Sequence, residues 1–179
     1  IPGEDEVVKY EPLYLDKILI KQAPSLALGN AKKELLHLGS YAVKSFELSY
    51  DYLINHAEKS ADKGHKTEGA INAIDEELTR YLIDLSGEQL NQKESEVLTN
   101  ILDSSRDLER IGDHGEALLQ LTDYLIKKKV IFSEAALEEL ETIYQMTLNF
   151  IKDALQSVED NNIELADSLE EKHTKIDQL

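Results

Sequence analysis

The sequence predicts an all-α fold of long antiparallel helices arranged as tandem three-helix bundles, and three observations carry that prediction. All three prolines (Pro2, Pro12, Pro24) lie at the start of the chain, so nothing after Pro24 forces a helix to break. Apolar residues then recur at spacings of three and four, the pattern of helices that bury one face. A segment also repeats. Ser40-Tyr41-Ala-Val-Lys-Ser-Phe46 followed by Asn72-Ala-Ile-Asp75 is echoed by Ile143-Tyr144-Gln-Met-Thr-Leu-Asn-Phe150 followed by Thr174-Lys-Ile-Asp177. Self-similarity at that offset predicts two related units, the second lacking its final helix.

Residues 1–24 read as a linker or junction, acidic at first, with Tyr14–Ile20 forming a short helix or an extended packing segment. Residues 25–130 form the first three-helix unit and 131–179 the truncated second. The first long helix is expected from about Ser25 to Ala61, with Ala31, Leu35, Leu38, Ala42, Phe46, Tyr50, Leu53 and Ala57 on its apolar stripe. Asp62-Lys-Gly-His65 reads as a turn, and the second helix covers Thr67–Leu85. The third, about Gln92–Lys129, has a seam of Val97, Ile101, Ser104, Leu108, Ile111, Gly115, Leu118, Thr122 and Leu125, the alternation of left-handed bundle packing. Ser133 caps a fourth helix reaching about Asp160, and a fifth spans Ile163–Leu179.

Composition narrows the function. Of the 179 residues, 41% are hydrophobic, enough for a sizeable core, and 31% are charged, which suits slender bundles. There is no cysteine, hence no disulfide framework and no thiolate metal site. A net charge of −17 disfavours nucleic acid and anionic membrane surfaces and favours cations and basic protein surfaces. No window approaches the apolar length of a membrane span, so direct membrane insertion of this fragment is not expected. The first residue is Ile1, and the chain reads as a fragment or a processed product.

The chemistry concentrates in Asp107-Leu-Glu-Arg-Ile-Gly-Asp113-His114, at the centre of the third helix. Glu109 and Asp113 are one turn apart, so their carboxylates share a face and weaken the helix unless a cation compensates them. Gly112 and Gly115 add a cost of about 1 kcal/mol each relative to alanine. Two readings stand open. Oxygen ligands from Asp103, Asp107, Glu109, Asp113 and Glu116 suit hard cations. Alternatively Arg110 and Arg106 lace the same face into a salt ladder. Asp75, on the second helix, is placed to approach this face. Glu34-Leu-Leu-His37 and Glu170-Glu-Lys-His173 have the Glu-x-x-His spacing of ferritin-like di-iron bundles, but on the first and fifth helices instead of the second and fourth. No nucleophile–base pair, phosphate loop or His-Glu-x-x-His element is present, so the chain is expected not to be an enzyme.

Leu108-Glu-Arg-Ile-Gly-Asp-His114 resembles the third-helix signature of the PhoU family of phosphate-signalling proteins. That resemblance implies tandem three-helix bundles with acidic pairs on two helices of each, holding iron or zinc clusters in some members. It makes Glu109, Asp113 and Asp75 expected metal ligands, with His173 and Asp177 their counterparts in the second unit. The sequence departs from the pattern at Ile71, where an acid usually precedes Asp75 by four residues, and at His173, which takes the equivalent place before Asp177. Tyr10-Glu-Pro-Leu-Tyr-Leu-Asp16 and Ala23-Pro-Ser-Leu-Ala-Leu28 are similar to the junction before the PhoU-like tail of bacterial Na/phosphate cotransporter proteins. The expectation is therefore a regulatory domain on the cytoplasmic face of the cell membrane. Its partner would be the membrane transporter domain of the same polypeptide, and a homodimer is compatible. A stand-alone PhoU-type regulator and a di-iron bundle are the alternatives.

Overall fold

The computed structural model describes residues 12–176, and all regular structure among them is helical. The helices are α1 (Lys17–Gln22), α2 (Pro24–Asn55), α3 (Glu58–Ser86), α4 (Gln92–Lys127), α5 (Glu134–Asp160) and α6 (Ile163–Ile176). Helices α2, α3 and α4 pack against one another as an antiparallel bundle. Helices α5 and α6 form a hairpin that leans on this bundle through α5 against α2, and α1 bridges α2 and α3.

Pro24 opens α2 at a first-turn position where its missing N–H costs nothing. The helix ends earlier than the sequence suggests. His56 takes a left-handed conformation (φ 51°) and donates its N–H to the Tyr52 carbonyl at 2.9 Å, so the chain turns at residues 56–57. The Ser60 hydroxyl then bonds the Asp51 carboxylate across the corner. Asp62-Lys-Gly-His65, expected as the turn, lies inside α3. Gly64 is there for packing: a Cβ on it would come within 2.6 Å of Leu119 Cδ1 on α4. Helix α4 starts with a reciprocal cap between Asn91 and Glu94, and Ser133 caps α5 by accepting the Ala136 N–H at 3.2 Å.

The core runs through Leu35, Leu38 and Ala42 of α2, Ile71, Ile74, Leu78, Leu82 and Leu85 of α3, and Ile101 and Leu108 of α4. On α4 the buried line is Leu98, Ile101, Ser105, Leu108, Gly112, Gly115, Leu119 and Thr122. Four expected positions are thus displaced by one residue: Val97, Ser104, Ile111 and Leu118 give way to their neighbours. A helix wedged between two others buries a wider arc than a two-helix seam. Its smallest residues settle where the neighbouring backbones come closest.

Those close approaches are specific. Ile71 Cδ1 sits 2.8 Å from the place a Cβ on Gly112 would occupy, and the Ser45 hydroxyl fills the corresponding space at Gly115. Gly39 on α2 receives the Leu155 side chain of α5 in the same way. The α2–α5 contact continues through Tyr144, stacked on Tyr50 with ring centroids 3.6 Å apart and on Phe46 at 5.3 Å. The Tyr50 hydroxyl donates to Glu141 at 2.6 Å, and Lys152 pairs with Glu47 at 3.0 Å. At the turn end of the bundle the Tyr52 hydroxyl donates to Asp123 at 2.5 Å, and that bond to a carboxylate holds the phenol pKa up at about 12.

Gly112→Ala is expected to lower stability by about 1–2 kcal/mol, because crowding of the fully buried Ile71 outweighs the helix propensity gained. Gly29→Ala, where nothing lies within 4 Å, is expected to raise it by up to about 1 kcal/mol. Denaturant melts of the two variants read the difference, and equal shifts would refute close packing at Gly112.

Candidate functional site

Helices α3 and α4 run antiparallel in a regular register: Gly64 meets Leu119, His65 meets Glu116 at 2.7 Å, Ile71 meets Gly112, and Asp75 meets Ser105. This register decides what the central acidic motif faces. The Ser105 hydroxyl, wholly buried on α4, donates to Asp75 Oδ1 at 2.5 Å, one turn from Glu109. Asp75 therefore stands where the sequence suggested, beside the face that carries Glu109 and Asp113.

Glu109 registers the crowding. Its pKa is raised, first by partial burial and then by the negative charges of Asp113, Asp75 and Glu68; Arg110 lowers it by the smallest contribution. The sequence reading did not include Glu68. It lies two helical turns before Asp75, so the period-seven spacing that places both on one face of α3 was the available signal. The salt ladder shrinks to little. Arg110 reaches Asp107 at 3.6 Å with both side chains mostly exposed, an arrangement worth at most about 1 kcal/mol. The α3–α4 face is thus an acidic locus with almost no cationic compensation of its own.

Among the described residues no three His, Asp or Glu side chains group closely enough to hold a metal ion. The position four before Asp75 is Ile71, fully buried and packed on Gly112, so hydrocarbon occupies the middle of the α3 face. Asp113 is exposed. His173 lies on α6 with its ring centroid 6.1 Å from that of Phe150, and Asp177 falls outside the described residues.

The two Glu-x-x-His motifs do not share a site either. The backbones of α2 and α6, which carry them, do not approach each other within 8 Å among the described residues. Glu34 has a structural task instead. It is fully buried, accepts the Tyr14 backbone N–H at 2.8 Å through Oε2, and meets His37 Nδ1 at 2.9 Å through Oε1. His37 in turn packs edge-on against Tyr41 and Tyr14. The Tyr81 hydroxyl adds a bond to the Asp16 carbonyl at 3.1 Å. Together these hold the segment before α2 onto the bundle, and they use both oxygens that a metal would need.

Residues 35–122, from the middle of α2 to the last turns of α4, match the PhoU domain family. No curated protein and no solved structure matches the chain. The fold is an all-α, PhoU-like helical bundle.

Two outcomes are expected. Glu109→Gln should raise the melting temperature at pH 7, because a raised folded-state pKa means that ionisation opposes folding. The gain should fade as pH falls from the raised folded-state value to the ordinary carboxylate value, and should be absent below it, where wild-type Glu109 is protonated in both states. A lower melting temperature at pH 7 would remove the repulsion argument. Glu34→Ala should cost about 2–3 kcal/mol by leaving the Tyr14 N–H and His37 without their acceptor. Hydrogen exchange at the Tyr14 amide should accelerate with it.

Proposed function

We propose that this chain is a non-enzymatic regulatory domain acting in phosphate transport or phosphate signalling. One observation carries the reading: the PhoU match covers the same α2–α3–α4 bundle that presents the acidic α3–α4 face. PhoU domains are regulatory and not enzymatic, and the match over residues 35–122 supports that reading for this chain. No helix among the described residues is long and apolar enough to cross a membrane. Any transport step would then belong to a partner, with this domain acting through its helix surfaces.

The finer reading is the cytoplasmic tail of a Na/phosphate cotransporter-like membrane protein, with the transporter domain as its partner in the same polypeptide. The junction-like sequence around Tyr10–Asp16 and Ala23–Leu28 supports it. In the structure, Glu34 and Tyr81 tie Tyr14 and Asp16, within that junction, to the bundle, which would couple strain in the junction to the helices. The domain division at residues 24 and 130 belongs to the same proposal. A stand-alone regulator is equally compatible with the family match.

Within this reading the Glu68, Asp75, Glu109 and Asp113 face attracts cations by its field, and Glu109 and Asp113 are its proposed ligands. Metal analysis of the purified wild type against a Glu109→Ala/Asp113→Ala variant tests that assignment; equal metal content in the two would remove it. The functional reading is tested in cells. Deleting the codons for residues 25–179 from the parent gene should change how phosphate uptake responds to phosphate supply, measured with labelled phosphate. Unchanged uptake at both high and low supply would sink the proposal.

A further inference from the structure

The corner between α4 and α5 reverses the character of the rest of the molecule. In a chain of net charge −17, residues 124–133 are the only ten-residue window with three basic residues and no acidic one. Lys127, Lys128 and Lys129 close α4, and Val130 and Ile131 follow directly. Lys129 takes a left-handed conformation (φ 54°), and the Val130 N–H returns to the Leu125 carbonyl at 3.0 Å, so the apolar pair is thrown out beyond the helix end. Ile131 is 91% exposed and Val130 44%, and one turn back Tyr124 is 56% exposed, with Lys128 Nζ 5.6 Å from its ring centre.

Cations at a helix C-terminus have a structural explanation, since they complement the helix dipole. That explains the lysines and leaves the isoleucine unexplained. No described carboxylate pairs with the three ammonium groups. The preceding acid, Asp123, is engaged by the Tyr52 hydroxyl, and the following one, Glu134, sits in the first turn of α5. The exposed apolar side chains here, Tyr124, Val130 and Ile131 foremost, are few and offer a protein partner little of the area that a stable interface buries. Apolar side chains ringed by lysines match instead the boundary between acyl chains and anionic headgroups.

We propose that the α4–α5 tip docks on an anionic lipid surface, with Val130 and Ile131 entering the headgroup boundary and Lys127, Lys128 and Lys129 meeting the lipid phosphates. Net charge points the other way for the chain as a whole. Over a Debye length of about 10 Å, however, the charges nearest the surface weigh most, and across residues 124–133 these are the three lysines, with the acids Asp123 and Glu134 only at the two edges. The proposal needs this tip alone and stands apart from the phosphate reading.

The test is co-sedimentation of the purified chain with phosphatidylcholine vesicles, with and without phosphatidylglycerol, at low and high salt. Binding is expected only to the anionic vesicles and should weaken with salt. Lys127→Gln/Lys128→Gln/Lys129→Gln should reduce the affinity on the order of a hundredfold, the factor three lysines near an anionic surface supply together. Val130→Ser/Ile131→Ser should also reduce it, with helicity by circular dichroism unchanged in both variants. No preference for anionic vesicles overturns the proposal, as does binding that neither variant weakens. A chain that ignores lipid but self-associates through Ile131, seen by light scattering of wild type against Val130→Ser/Ile131→Ser, overturns it in favour of a second copy.

Discussion

The bundle depends on how closely three helices approach one another at a few small residues. Gly64 and Gly112 let α3 and α4 come together, Gly115 meets Ser45 of α2, and Gly39 admits Leu155 of α5. Each glycine weakens its own helix by removing a side chain and freeing the backbone. Each also lets a branched side chain or a hydroxyl reach nearly to the opposing backbone, where packing contacts are densest. Ser45 and Ser49, both buried, continue this small-residue line on α2.

The acidic locus follows from the same register. Once Ile71 is seated over Gly112, Asp75 must lie beside Ser105, and Glu68 must come near the Glu109–Asp113 step. The cost of the acidic motif is therefore larger in the fold than in an isolated helix, since charges from a second helix add to the repulsion already present within α4. A face that keeps such repulsion without cations of its own carries a negative field. Ile71 interrupts it: it packs α3 to α4 with hydrocarbon at the middle of the face.

The rest of the chain is less tightly held. Helix α5 buries only Leu148, Ile151 and Ser157, and α6 buries nothing. Their attachment to the bundle is an aromatic stack around Tyr144, the Tyr50–Glu141 and Lys32–Asn161 hydrogen bonds, an exposed ion pair and the partly buried Leu155 and Val158, whereas α2–α4 share a continuous apolar core. Local opening should therefore start in the α5–α6 hairpin.

The sequence by itself determined the helical class, the order of the long helices, the cap at Ser133 and the acidic pair at Glu109 and Asp113. Each of these is set by neighbours within a turn or two: proline placement, three-and-four spacing, a side chain reaching its own helix end. Where α2 ends, which α4 residues are buried, and what opposes the acidic pair were decided by the tertiary structure. His56 turns the chain where no glycine or proline announces it. Gly64 looks like a turn residue until Leu119 is seen against it. Glu68 joins the locus, and Glu34 and His37 become a structural tie, only through residues far away in sequence. Spacing along a helix fixes the direction of a side chain, but what it meets depends on helix register, and register is set by the packing of whole faces.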